Sequence, residues 1–168
     1  KEILETKKTP FVLLENVDRL TKSPSKQRGR DFGIMLRCLN DLGYGVEWRV
    51  INAADYGFPQ RRRRIYIFAF HKTTAYYSKL KSIQPVNIIN TEGLFAKTFK
   101  IVGVENKNEA KISKKHYSDL VSMTNSFKFK FENSGYSINH TIYTFKTNAD
   151  IQSPKTLGDI ITKEKVDD

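Results

Sequence analysis

The chain has 168 residues, and 29 Lys and Arg against 18 Asp and Glu leave a formal charge of +11, which excludes acidic, calcium-buffer chemistry and favours a polyanionic partner. One Cys and three scattered His exclude a disulfide framework and a structural zinc site, so no metal is expected and a reducing, cytoplasmic setting fits. The aromatic content of 12% is that of a folding chain, and no apolar run approaches the roughly 20 residues of a bilayer span, so no membrane partner is expected.

The chain opens on Lys1 and stops at the charged Lys163 to Asp168 without a stop signal, as a piece of a longer protein would. Phe11-Val12-Leu13-Leu14 is a short apolar run closed by Glu15-Asn16, the pattern of a strand buried on both faces. Thr21 to Arg30 is a basic loop rich in turn formers. From Asp31, Phe32, Met35, Leu36, Leu39 and Leu42 recur at helical spacing, and Gly43 sits where a helix terminates in the left-handed conformation. Val46, Trp48 and Val50 mark a second strand, Asn52 to Pro59 a loop, and Arg63 to Phe70 a third strand ending near His71. The order is that of an α/β fold: the helical crossover implies a parallel pair, and the short loop makes the last two strands antiparallel.

Beyond about residue 80 the periodicity weakens. Ser82 to Thr98 is irregular, and the Lys- and Asn-rich stretch to Lys115 has few apolar residues. Phe127-Lys128-Phe129-Lys130-Phe131 alternates strictly, with Asn133-Ser134-Gly135 as a turn and Tyr136 to Phe145 as the return strand of a hairpin. Thr156 is placed to cap a short helix over Leu157 to Ile161. The boundary between the two regions falls between Tyr77 and Pro85.

The tightest chemical signal is Gln60-Arg61-Arg62-Arg63-Arg64, running directly into Ile65-Tyr66-Ile67-Phe68. In extended backbone Gln60, Arg62 and Arg64 share one face and Arg61 and Arg63 the other. A fork of guanidiniums matches phosphate or base-edge acceptors, although a basic run is also an ordinary solvated strand entrance. Glu15, at the carboxyl end of a strand, stands where open α/β sheets place ligand-binding residues.

The combination of Leu14-Glu15-Asn16-Val17, a helix, a strand, and Asn52 to Pro59 leading into Gln60 to Arg64 resembles the DNA (cytosine-5)-methyltransferase family, with the Glu-Asn-Val and Gln-x-Arg-x-Arg motifs in order. Phe131 to Thr144 and Lys155 to Ile160 resemble the start of the target-recognition region of its bacterial, restriction-modification members. The resemblance implies an α/β fold built as the C-terminal part of a Rossmann-like methyltransferase sheet, followed by a smaller irregular α+β target-recognition region. Residues 1–80 then belong to the catalytic domain and 81–168 begin the recognition region. It also implies double-stranded DNA as partner, S-adenosyl-L-methionine as methyl donor, a monomeric full-length enzyme associated with the nucleoid, and a flipped target base.

In that chemistry an enzyme thiolate adds to position 6 of cytosine so that position 5 can attack the methyl group. By resemblance Glu15 meets the N3 edge of the cytosine and shares its proton, which requires a partly protonated carboxyl in the closed complex. Arg64 lies at the base O2, and Arg62 orients Glu15 or holds phosphate. Asn16, Val17 and Gln60 support the site. Arg28 and Arg30, with Arg19, Lys22 and Lys26, are candidates for the backbone grip.

Two family features are missing. No Pro-Cys dipeptide is present, and Cys38, flanked by Arg37 and Leu39 on the helix, reads as a packing residue. No glycine-rich strand-to-helix turn is present to cradle the cofactor, because Gly43-Tyr44-Gly45 ends a helix. The chain alone is therefore expected to be inactive. A non-catalytic basic DNA-binding module and an RNA cytosine methyltransferase remain the alternatives. His71, His116 and His140 read as structural or surface residues, and Phe127, Phe129 and Phe131 as core.

Overall fold

A computed structural model describes residues 2–153 and 155–161. Its centre is one six-stranded sheet in the order β1-β3-β2-β5-β6-β4, every neighbouring pair antiparallel. The strands are β1 (Phe11–Val17), β2 (Tyr44–Asn52), β3 (Arg63–His71), β4 (Ile101–Lys111), β5 (Ser134–Ile138) and β6 (Thr141–Ala149). Around them lie α1 (Glu2–Lys7), α2 (Arg30–Asp41), α3 (Ala75–Leu80), α4 (Pro85–Asn87), α5 (Leu94–Thr98) and α6 (Leu120–Ser126). Among the described residues no helix is long and apolar enough to cross a membrane.

Helix α2 forms as the spacing predicts. Phe32, Leu36 and Leu39 are buried, and Gly43 follows at φ +86°. Its apolar face packs on Val46 and Trp48 of β2 and Ile65 and Ile67 of β3. Phe32 and Phe131 meet the Trp48 ring edge-on at 5.2 and 5.8 Å, so a single aromatic cluster joins helix, sheet and the 127–131 segment. The other sheet face is covered by α3 and residues 83–99, where Leu80, Ile88 and Ile89 pack on Phe70, Tyr136 and Phe145.

Five expectations are corrected. First, among the described residues β1 is not buried on both faces: it pairs with β3 alone, and Phe11, Leu13, Leu14 and Val17 are exposed because no described element covers them fully. Second, β1 and β2 run in the same direction without pairing, since β3 enters between them antiparallel to both. Third, the Phe127 to Phe131 segment joins no strand ladder. The Phe129 N–H donates to the Arg28 carbonyl at 2.9 Å, and Gln27 Nε2 donates to the Thr124 and Phe127 carbonyls. Phe127 and Phe131 are nonetheless buried, so the alternation reports a core face without a strand.

Fourth, Ser134 and Gly135 lie within β5, and the hairpin turns at Asn139-His140, both in the left-handed region at φ +48° and +62°. Fifth, the Lys- and Asn-rich stretch contains strand β4, an exposed edge with register breaks at Ile101/Gly103 and Glu105/Asn108 that remove regular alternation. In addition, the basic loop after β1 contains 3-10 turns at Asp18–Lys22 and Ser25–Gln27. The Thr156 reading yields a 3-10 turn, Leu157–Asp159, in which the Asp159 carboxylate accepts from the Thr156 N–H and hydroxyl. The charged tail at Lys163 to Asp168 lies outside the described residues.

Gly135 is required by close approach. A Cβ there would meet the Trp48 indole and the Tyr143 carbonyl. Gly135→Ala is expected to cost about 1–3 kcal/mol, the usual range for overpacking, measured as a lower urea midpoint with unchanged slope.

Candidate active site

Antiparallel pairing of β1 with β3 places Glu15 opposite Tyr66 and Val17 opposite Arg64. Residues paired this way project to one side of the sheet, so Glu15 and Arg64 share a face. Arg64 Nε lies 2.8 Å from Glu15 Oε1, and Arg62 Nη2 lies 4.0 Å from the same oxygen. Arg63 points to the opposite face, its Nε 3.3 Å from Asp18. The period-two division of the arginines therefore holds over residues 62–64.

Gln60 lies outside the strand: its side chain is exposed and its carbonyl accepts the Arg62 N–H at 3.0 Å, shaping the entry to β3. The Asn16 side chain accepts the Val17 N–H at 2.7 Å, fixing the backbone just past Glu15. The Val17 side chain is exposed. The preceding loop is held by a 3-10 turn over Ala53–Tyr56 that ends at Gly57, φ +82°.

The Glu15 side chain is 45% exposed and that of Arg64 24%. Two guanidiniums beside one half-exposed carboxylate form an open acceptor–donor edge at the end of the sheet. Such an edge can take a flat polar ring whose hydrogen-bonding groups alternate in kind.

The remaining candidates divide. Arg30 is engaged at the start of α2, bonding Asp31 at 3.0 Å and Gln27 at 3.4 Å. Arg28 lines a polar cleft next to Arg63, and Arg19, Lys22 and Lys26 are at least partly exposed. Cys38 is half-buried in an apolar groove lined by Leu4, Val12, Leu14, Met35 and Leu39. His71, His116 and His140 each bond a nearby side chain: Thr73, Ser113 and Asp41. Among the described residues no group of His, Cys, Asp and Glu is placed to hold a metal. Among the described residues no glycine-rich turn leads from a strand into a helix.

A family model for the C-5 cytosine-specific DNA methylase matches residues 1–165. The chain belongs to this family. It is similar to the Type II methyltransferase M.Sau3AI of Staphylococcus aureus, 51% identical over 160 residues, covering 94% of this chain and 38% of that protein. It is also similar to M.NgoBI of Neisseria gonorrhoeae, 49% identical over 76 residues and covering 45% and 23%, and to M.HaeII of Haemophilus aegyptius, 42% identical over 89 residues and covering 48% and 27%. The chain thus spans well under half the length of these relatives.

Amphipathic reasoning missed three charged residues of this methylase-family chain, because it assigns charge to solvent. Arg37 on α2 donates to the Ile112 carbonyl and is ion-paired with Asp41 at 2.9 Å. Arg49 on β2 donates to the carbonyls of Ile89, Phe95 and Phe99 and ties residues 88–99 to the sheet. Glu47, two residues before it, accepts from the Tyr76 hydroxyl and the Leu94 N–H. Burial pushes the Glu47 carboxyl above its ordinary range, while those hydrogen bonds oppose the shift.

A carboxyl raised in the folded state holds its proton after the unfolded chain has released its own, so stability falls as pH rises above the unfolded value. Glu47→Gln removes that ionisation. Its stability relative to the natural protein is expected to rise as pH goes from about 4 towards neutral, read from urea unfolding across that range.

Proposed function

We propose that this chain carries the base-recognition edge of a DNA (cytosine-5)-methyltransferase of the restriction-modification type, which flips a target cytosine in duplex DNA and transfers a methyl group from S-adenosyl-L-methionine to its C5. The observation that carries this reading is the Glu15–Arg64 pair at 2.8 Å across β1 and β3, inside a chain of the methylase family. Residues 1–80 are assigned to the catalytic domain and 81–168 to the start of the target-recognition region. The division is functional, since β5 pairs with β2 and the sheet runs through it.

The chemistry follows from the groups present. Addition of a nucleophile to the pyrimidine ring places charge on N3 and O2, which preorganised donors stabilise more strongly than reorienting water does. Glu15 takes the N3 edge, sharing a proton there, and Arg64 takes O2. Arg62, 4.0 Å from Glu15, bears on the same carboxylate and on phosphate next to the base. Asn16, Val17 and Gln60 fix the backbone on either side. Extruding a base costs a few kcal/mol, offset by contacts to the unpaired nucleotide and its backbone. The attacking thiolate and the seat of the methyl donor are assigned to the remainder of the enzyme, so the chain by itself transfers nothing.

Glu15→Gln in the full-length protein is expected to lower methyl transfer to duplex DNA by about 10²–10⁴-fold while leaving DNA binding in place. Labelled S-adenosyl-L-methionine with duplex DNA and with tRNA as acceptors gives the rates, and a gel-shift titration gives binding. Transfer that survives the substitution would remove Glu15 from the reaction, and transfer to tRNA alone would change the substrate.

A further inference from the structure

The arginine run serves two faces of one strand. Arg62 and Arg64 face Glu15, while Arg63 stands on the other side beside Asp18. On that other side, at the same end of the sheet, a cleft of about 360 Å³ opens between the loop after β1 and the segment leading into β5 and out along β6.

Four cations line it: Lys22 and Arg28 from the loop, Arg63 from β3 and Lys146 from β6. They converge from positions up to more than a hundred residues apart, so their grouping is a product of the fold. Its two acids are ion-paired, Asp18 with Arg63 and Glu132 with Lys130 at 2.8 Å, although the buried Glu132 Oε1 makes no directed hydrogen bond among the described residues. Lys146 holds Glu105 at 3.0 Å. Arg28 differs: its Nε is buried and has no hydrogen-bond partner among the described residues. A buried guanidinium donor left unpaired is costly, and an acceptor-only ligand entering the cleft would satisfy it. The wall behind is stiff, because the Asn133 amide makes two 2.8 Å bonds to the Thr147 main chain.

We infer that this cleft is a phosphodiester subsite. It holds the DNA backbone flanking the target nucleotide through Arg28, Arg63, Lys22 and Lys146, on the face of β3 opposite the base edge. The subsite rests on the methyltransferase reading for its ligand. A phosphate offers only acceptors and a full negative charge, which matches planar arginine forks and lysine point charges. Because both sites open at the end of the sheet where β3 begins, one DNA strand passing over that end reaches both, with its base on the Glu15 side and its backbone on the Arg63 side.

The test is the salt dependence of duplex binding by the full-length protein, titrated between about 50 and 200 mM salt. Arg63→Gln with Lys146→Gln, and separately Arg28→Gln, are expected to flatten the plot of log affinity against log salt by about one unit for each phosphate no longer neutralised. Arg63→Lys should keep the slope, since it keeps the charge. An unchanged slope in the Arg63→Gln, Lys146→Gln protein, with unfolding like that of the parent, would overturn the subsite, as would an Arg63→Lys protein whose slope flattens as that of the double variant does. Methyl transfer is measured on the same proteins, so the two readings fail separately. A flattened slope in the variants of a full-length protein that itself transfers no methyl group keeps the subsite and removes the enzyme, whereas transfer by that protein with an unchanged slope in the variants removes the subsite alone.

Discussion

The antiparallel insertion of β3 between β1 and β2 is the constraint on which the site depends. Glu15 lies opposite Tyr66 on one flank of β3, and Ile51 and Asn52 lie opposite Arg64 and Arg63 on the other. Side chains alternate along a strand, so a slip of one residue would carry Arg64 to the far face and bring Arg63 to Glu15. The register is held by Ile65, Ile67 and Ala69, which are fully buried on the α2 side. The chemistry at the strand's start is thus fixed by packing further along the same strand.

Buried charges extend that control across the molecule. Arg49 draws three main-chain carbonyls of residues 88–99 onto β2, and Arg37 joins α2 to the carbonyl of Ile112 just past β4. Each spreads one charge over several acceptors, the way a buried guanidinium recovers its lost hydration. Asp41 continues the chain from Arg37 to His140 at the β5–β6 turn. The first and second parts of the sequence are therefore held together by polar contacts as well as by the shared sheet.

What was legible in the sequence was whatever depends on near neighbours. Helix α2, its Gly43 terminus and strands β2 and β3 follow from periodicity, and the meeting of Glu15 with the arginines follows once β1 and β3 are adjacent. Strand β1 misled because an apolar run looks the same whether its neighbours cover it or leave it at an edge. The hairpin does not turn at Asn-Ser-Gly, the stronger turn signal, because Gly135 is needed for the approach of Trp48; it turns at Asn139-His140, residue types that enter the left-handed region more readily than most but signal a turn less strongly than glycine. The burial of Arg37, Glu47 and Arg49 was invisible because their partners are main-chain groups and residues distant in sequence, which no local pattern records.

The outer side of β1 has one further consequence. Among the described residues β1 pairs with β3 alone, and Phe11, Leu13, Leu14 and Val17 are exposed beside Glu15, its single charge, so in this chain handled alone the strand is a template on which a second copy can add. At low ionic strength the mutual repulsion of chains carrying +11 each opposes that addition. Salt shortens the reach of that repulsion to about 10 Å at 0.1 M and 3 Å at 1 M. The concentrated salt used to strip nucleic acid from a basic protein is therefore the condition under which this chain, handled alone, loses its protection against self-association.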